Sequence, residues 1–156
     1  DQVIPEIFEQ KLVLQHGAMR LLEEVRARRL PLGLATSSRR RWVDLKLRIT
    51  GLDGMFDAVV TGDEVENGKP APEIYLEVAQ RLAVPHGKCL ALEDSPSGVA
   101  AAVAAGMYTV AVRTESTAGL DVSHAQRVID SLEGFDMDLL GNPILSGNSV
   151  EPKKTR

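Results

Sequence analysis

Apolar positions along the chain follow two rhythms. In "IPEIFEQKLVL" (4 to 14), Ile4, Ile7, Phe8 and Leu12 recur near helical spacing, and "AMRLLEEVRARR" (18 to 29) repeats it through Leu22 and Val25. Both segments are predicted helices. "LPLGLAT" (30 to 36) is short, apolar and followed by "SS", which reads as a buried strand entering a helix N-cap. The next helix, over about 38 to 49, places Trp42, Leu45 and Ile49 on one side and stops at Gly51. "DAVVTG" (57 to 62) is a second strand, and after the turn at Asn67-Gly68 the spacing of Ile74, Val78 and Leu82 predicts a helix over about 72 to 83. "KCLALE" (88 to 93) is a third strand, "SPSGVAAAVAAG" a helix, "YTVAV" (108 to 112) a fourth strand and "RVI" (127 to 129) a short fifth.

Short apolar strands alternating with amphipathic helices predict an α/β fold, a Rossmann-like and mostly parallel sheet flanked by helices. The only boundary falls near His16-Gly17. It leaves residues 1–14 as an accessory element and 15–141 as the α/β core. From about 141, "GNPILSGNSVEPKKTR" reads as a loose C-terminal tail, 142–156.

The 156 residues suit one domain, a size at which roughly 68–70% of the unfolded surface is buried. With 44% hydrophobic residues, 26% charged residues and a net charge of −4, the composition is that of a soluble globular protein and does not favour a nucleic-acid partner. No run is long enough to span a membrane, and the acidic start lacks signal-peptide features. The single cysteine, Cys89, sits in an apolar stretch, so a reducing, cytoplasmic setting is expected and the thiol is read as packing. His16, His86 and His124 show no ligand spacing and are expected at the surface. The chain opens on Asp rather than Met, which fits a fragment or a processed product.

In parallel sheets ligands bind beyond the carboxyl ends of the strands. There the sequence puts Thr36, Ser37 and Ser38 after the first strand, Lys69 after the second, and Glu93 and Asp94 after the third. Hydroxyls and helix amides suit phosphate oxygens, an ammonium suits their charge, and carboxylates suit Mg²⁺. Each piece has a plainer reading. Asp94 or Ser95 is a good N-cap before Pro96, Thr36 to Ser38 are good caps, and Lys69 suits a solvated turn. Glu93 is harder to dismiss, because a second acid on a buried strand needs a partner. Arg39, Arg40 and Arg41 oppose a helix dipole, which a nearby anion would explain for at least one of them, but a solvated face is the better expectation. No P-loop, G-x-G-x-x-G or G-x-S-x-G motif is present.

"LGLATSS", "GKPAPEIYLEVAQRL" and "LALEDSPSGVAAAVAAGM", in that order, resemble motifs two to four of the haloacid dehalogenase-like (HAD) superfamily, especially its β-phosphoglucomutase-like phosphatase branch. The resemblance covers about residues 17 to 114. It implies that Thr36, with the Ser37 backbone, binds the transferring phosphoryl group, with Ser38 and Arg39 beside it on the substrate side. Lys69 would balance charge. Asp94 would bind Mg²⁺ directly, with Glu93 as a second ligand or a neighbour of the ligands. A cap domain is also implied, and residues 1–14 look like its last helix.

The family opens with a strand carrying D-x-D, whose first Asp attacks phosphorus and whose second is acid and base, and nothing before "LGLATSS" supplies it. Enzymes accelerate phosphate monoester hydrolysis by as much as ~10²¹, about 28 kcal/mol, and the nucleophile and proton donor carry a large share. A lysine ~4 Å from one charge contributes about 4 kcal/mol at an effective dielectric of 20. The expectation is therefore a Mg²⁺-dependent HAD-like phosphatase or phosphomutase of small phosphorylated metabolites, inactive without an N-terminal segment that lies outside this sequence. A non-catalytic remnant that binds phosphate or a protein partner is the alternative. A receiver-like domain fits less well, because its acid pair precedes the hydroxyl and lysine.

Overall fold

The structure is a computed structural model and describes residues 14–115 and 117–141. All but Leu14 of the expected opening helix, and the whole expected tail, lie outside the described residues. Within them the elements are α1 (Ala18–Ala27), β1 (Gly33–Ala35), α2 (Arg40–Ile49), β2 (Ala58–Val60), α3 (Glu73–Arg81), β3 (Leu90–Glu93), α4 (Pro96–Ala104), β4 (Tyr108–Val112) and β5 (Arg127–Ile129). Short 3-10 turns follow at His86–Lys88, Leu132–Gly134 and Met137–Leu139.

Strands and helices alternate as the sequence pattern predicts, and every strand pairing is parallel. β1 pairs with β2, while β4 lies between β3 and β5. The strands form two ladders rather than one sheet. Among the described residues β1 and β3 each have a neighbour on one side only, and both line a single cavity of about 1110 Å³. β1 is also shorter than the apolar run around it. The Leu30 amide returns to the Val25 carbonyl at 3.1 Å, so the first residue of that run closes α1 instead of opening the strand.

Side chains alternate between the faces of β3. Ala91 joins the core beneath α3 and α4 with Val60, Ile74, Val78, Ala101 and Ala102. Leu90 and Leu92 face the other way, against Leu21 and Val25 of α1 and Phe135. Helices thus cover both faces. Val60, Ile74, Val99 and Val110 are all under 2% exposed, and burial of each such side chain stabilises by roughly 1.5–3 kcal/mol. No described helix is long and apolar enough to cross a membrane.

Candidate active site

The loop after β1 is organised by its own backbone and by the loop after β2. The Thr36 amide donates to the Val60 carbonyl at 3.1 Å, carrying the ladder one residue past β1. The Thr36 hydroxyl accepts the Ser38 amide at 3.2 Å, and the Ser38 carbonyl accepts the Gly62 amide at 3.0 Å. Only glycine fits at 62, because a Cβ there would overlap the Ser37 carbonyl. Ser37 and Ser38 are not the caps of the next helix. Arg39 is the N-cap residue, without a side-chain bond, and the Arg40 amide is met by the Asp63 carboxylate at 3.0 and 3.3 Å. An acid from the neighbouring loop therefore does the capping.

Arg40 is not on a solvated face either. It is half-buried, and its guanidinium donates to the Val59 carbonyl at 2.7 Å and to Glu64 at 2.5 Å. Arg41 lies 4.8 Å from the centroid of the Trp42 ring, and Arg39 is exposed beside the Ser37-Ser38 turn.

Glu64 ties this region together. Burial alone would raise its carboxyl, but the Thr61 hydroxyl and amide, then Arg81 and Arg40, outweigh burial and bring the pKa down to about 2. A carboxylate depressed in the folded state stabilises above its unfolded pKa of 4.5, and the stabilisation is lost as pH falls from there through about 2. Glu64→Gln is accordingly expected to lower the urea midpoint at pH 7 more than at pH 3. An equal decrease at both values would show that the charge of Glu64 contributes nothing.

The two adjacent acids of β3 have opposite surroundings. Alternation puts Glu93 on the same face as Ala91, towards α3 and α4, and its side chain is only 7% exposed. Its Oε1 accepts from both the Lys69 ammonium and the Tyr75 hydroxyl, and the Ser95 hydroxyl lies 3.4 Å from Oε2. Lys69, 10% exposed, is not a solvated turn residue. Its ammonium also donates to the Ala35 carbonyl at 3.2 Å. Burial, and after it the charge of Glu93, push the Tyr75 phenol far above its usual range, which keeps it a donor. Gly98 of α4 leaves room for the carboxylate, since a Cβ there would overlap all three of its atoms.

Asp94, one residue on, is exposed. It is not the cap of α4, because Ser95 accepts the Gly98 amide at 3.1 Å with Pro96 at the first helical position.

Thr36, Ser37, Lys69, Glu93, Asp94 and Ser95 all line the cavity between β1 and β3. The sequence-predicted hydroxyl, ammonium and acid pair are thus brought together at the carboxyl ends of the strands. Sequence reasoning missed Tyr75, Gly98, the Asp63 cap and the Ala35 carbonyl. Cys89 is half-buried, with burial raising its thiol pKa, and His16, His86 and His124 are exposed as expected.

The donor set suits Mg²⁺ unequally. Mg²⁺ uses one or two protein carboxylates and takes its other ligands from water and substrate. Among the described residues no three His, Cys, Asp or Glu side chains form a metal-binding group. Asp94, exposed at the cavity and, among the described residues, without a hydrogen-bond donor on its carboxylate, fits the one-carboxylate mode. Glu93 fits less well, because Oε1 already takes two protein donors.

Residues 1–112 match the family model described as haloacid dehalogenase-like hydrolase. The chain belongs to that family. This HAD-like chain is 42% identical over 144 residues to the Drosophila melanogaster protein named "Probable pseudouridine-5'-phosphatase", an alignment over 88% of this chain and 62% of that one. It is 46% identical over 104 residues to the phosphorylated carbohydrates phosphatase of Thermotoga maritima, covering 67% of this chain and 48% of that protein. Among solved structures, CbbY from Rhodobacter sphaeroides in complex with phosphate superimposes with a TM-score of 0.76 at 28% identity, over 82% of this chain and 59% of CbbY. The HAD-like chain thus spans roughly half to three fifths of the length of these relatives.

Proposed function

We propose that this chain is the larger part of a Mg²⁺-dependent phosphatase or phosphomutase acting on small phosphorylated metabolites through a phospho-aspartate. The observation that carries the reading is the convergence of Thr36, Lys69 and Asp94 on one cavity at the carboxyl ends of β1 and β3. The names of the relatives, two of them phosphatases, agree with it.

The nucleophile belongs to a strand outside this sequence, and the cavity is where that strand fits. Its volume of about 1110 Å³ lies above the roughly 300–1,000 Å³ of small-molecule pockets. Leu32, Leu34, Leu90 and Leu92 line its length, and among the described residues β1 and β3 flank it with no other strand on that side. A parallel apolar strand inserted there would pair with both and remove two open edges. Its carboxyl end would emerge beside Thr36 and Asp94.

In this arrangement Thr36 and the Ser37 amide hold phosphoryl oxygens, Ser38 and Arg39, which do not line the cavity, follow them in the loop on the substrate side, and Lys69 offsets the charge gathering on phosphate and nucleophile. Asp94 would hold Mg²⁺, which when bound supplies charge neutralisation at the phosphoryl oxygens. Glu93 fixes Lys69. Residues 1–14 belong to a cap that would select the substrate, 15–141 form the catalytic core, and 142–156 are a tail. A reducing, cytoplasmic setting suits the lone thiol.

The test is phosphate release from 4-nitrophenyl phosphate by the full-length protein with and without Mg²⁺. Asp94→Asn is expected to raise the Mg²⁺ concentration for half-maximal rate by at least roughly 10–100-fold, the scale on which even neighbours of metal ligands act. Wild-type Mg²⁺ dependence in Asp94→Asn would remove Asp94 from the site.

A further inference from the structure

The buried hydroxyl of Tyr75 has no part in the roles assigned so far. α3 places it in the core with Ile74, Val78 and Ala79, and the residue is 7% exposed. A buried phenol needs a polar partner. Tyr75 finds it 18 residues away in Glu93 Oε1, the same atom that receives the Lys69 ammonium. The ammonium also lies 5.1 Å from the centroid of the Tyr75 ring. Tyr75 therefore touches both members of the buried ion pair, and Lys69 in turn touches the carbonyl of Ala35, the residue before Thr36.

We propose that Tyr75 is a positioning residue whose hydroxyl, bonded to Glu93, keeps the Lys69 ammonium directed at the Thr36 loop. The proposal rests on the function proposed above. A buried carboxylate must have its lone pairs met by donors. Tyr75 meets part of that need from a ring locked in the core, leaving the flexible lysine free to divide its three N–H groups between Glu93, Ala35 and a phosphoryl oxygen. Without the hydroxyl, Glu93 is met by Lys69 almost alone and draws the ammonium away from the phosphoryl position. The ring still fills its place, so packing is unchanged.

Tyr75→Phe in the full-length enzyme separates positioning from packing. With 4-nitrophenyl phosphate, kcat/KM is expected to fall roughly 10- to 100-fold, the range spanned by losing a hydrogen bond to a charged group. In a Lys69→Ala background the same substitution is expected to change kcat/KM less than twofold, because there is no lysine left to aim. Loss by the same factor in both backgrounds, wild-type activity in Tyr75→Phe, or failure of Tyr75→Phe to fold would each overturn the proposal and make Tyr75 structural. If the wild type turns over but the cycle shows no coupling, only this inference falls. If the wild type releases no phosphate from any ester, the functional reading falls and this inference with it.

Discussion

Lys69→Ala is expected to lower phosphate release about 1,000-fold and to destabilise the fold as well. The catalytic part follows from Coulomb's law, since one charge ~4 Å from another contributes about 4 kcal/mol at an effective dielectric of 20, and each 1.36 kcal/mol is tenfold in rate. The stability part follows from burial. With Lys69 and Glu93 only 10% and 7% exposed, removing the ammonium strands a carboxylate whose remaining close donor is Tyr75. Breaking a buried pair in this way costs about 3–5 kcal/mol, a large part of the 5–15 kcal/mol typical of a folded domain. Steady-state kinetics and urea denaturation of the same variant measure the two parts separately. Lys69→Ala with wild-type stability would mean that Glu93 is better hydrated than its burial indicates.

Gly98→Ala is expected to be nearly as damaging, although alanine is ordinarily the better helix former. A Cβ at 98 overlaps both oxygens and the carboxyl carbon of Glu93. That carboxylate has little freedom to withdraw, because Lys69 and Tyr75 hold Oε1 and β3 fixes its base. Either α4 shifts away from β3 or the ion pair breaks. The second outcome again costs about 3–5 kcal/mol, against the roughly 1 kcal/mol that alanine contributes in an exposed helix. A Gly98→Ala protein that is more stable than the wild type and fully active would show that the carboxylate can move aside, and with it that the ion pair is dispensable.

Helices α1 to α3 were legible because their apolar spacing runs for two or more turns, and α4 because a Ser-Pro start opens a run of small residues; all four lie where those signals put them. The strands were legible as apolar runs but not in length, since an apolar residue such as Leu30 serves a helix end as readily as a strand. The separation of the strands into two ladders could be anticipated only from a family pattern, because no local signal records which neighbour a strand lacks. The site was legible in kind: Thr36, Lys69 and the acid pair do share a cavity. The different fates of the two acids were hidden in the alternation of β3, which turns Glu93 inward and leaves Asp94 past the strand end. Tyr75 and Asp63 were missed because the bonds that define their roles, to Glu93 and to the Arg40 amide, cross 18 and 23 residues. An aromatic on a helix's apolar face is unmarked until a buried acceptor is placed opposite it.

The most direct measurement is a crystal structure of the full-length protein with Mg²⁺ and inorganic phosphate. Such a structure is expected to show a parallel, acid-bearing strand between β1 and β3, phosphate oxygens within hydrogen-bond distance of the Thr36 hydroxyl and the Lys69 ammonium, and Mg²⁺ on Asp94. Direct hydrogen bonding of β1 to β3, or phosphate bound away from Thr36 and Lys69, would contradict it.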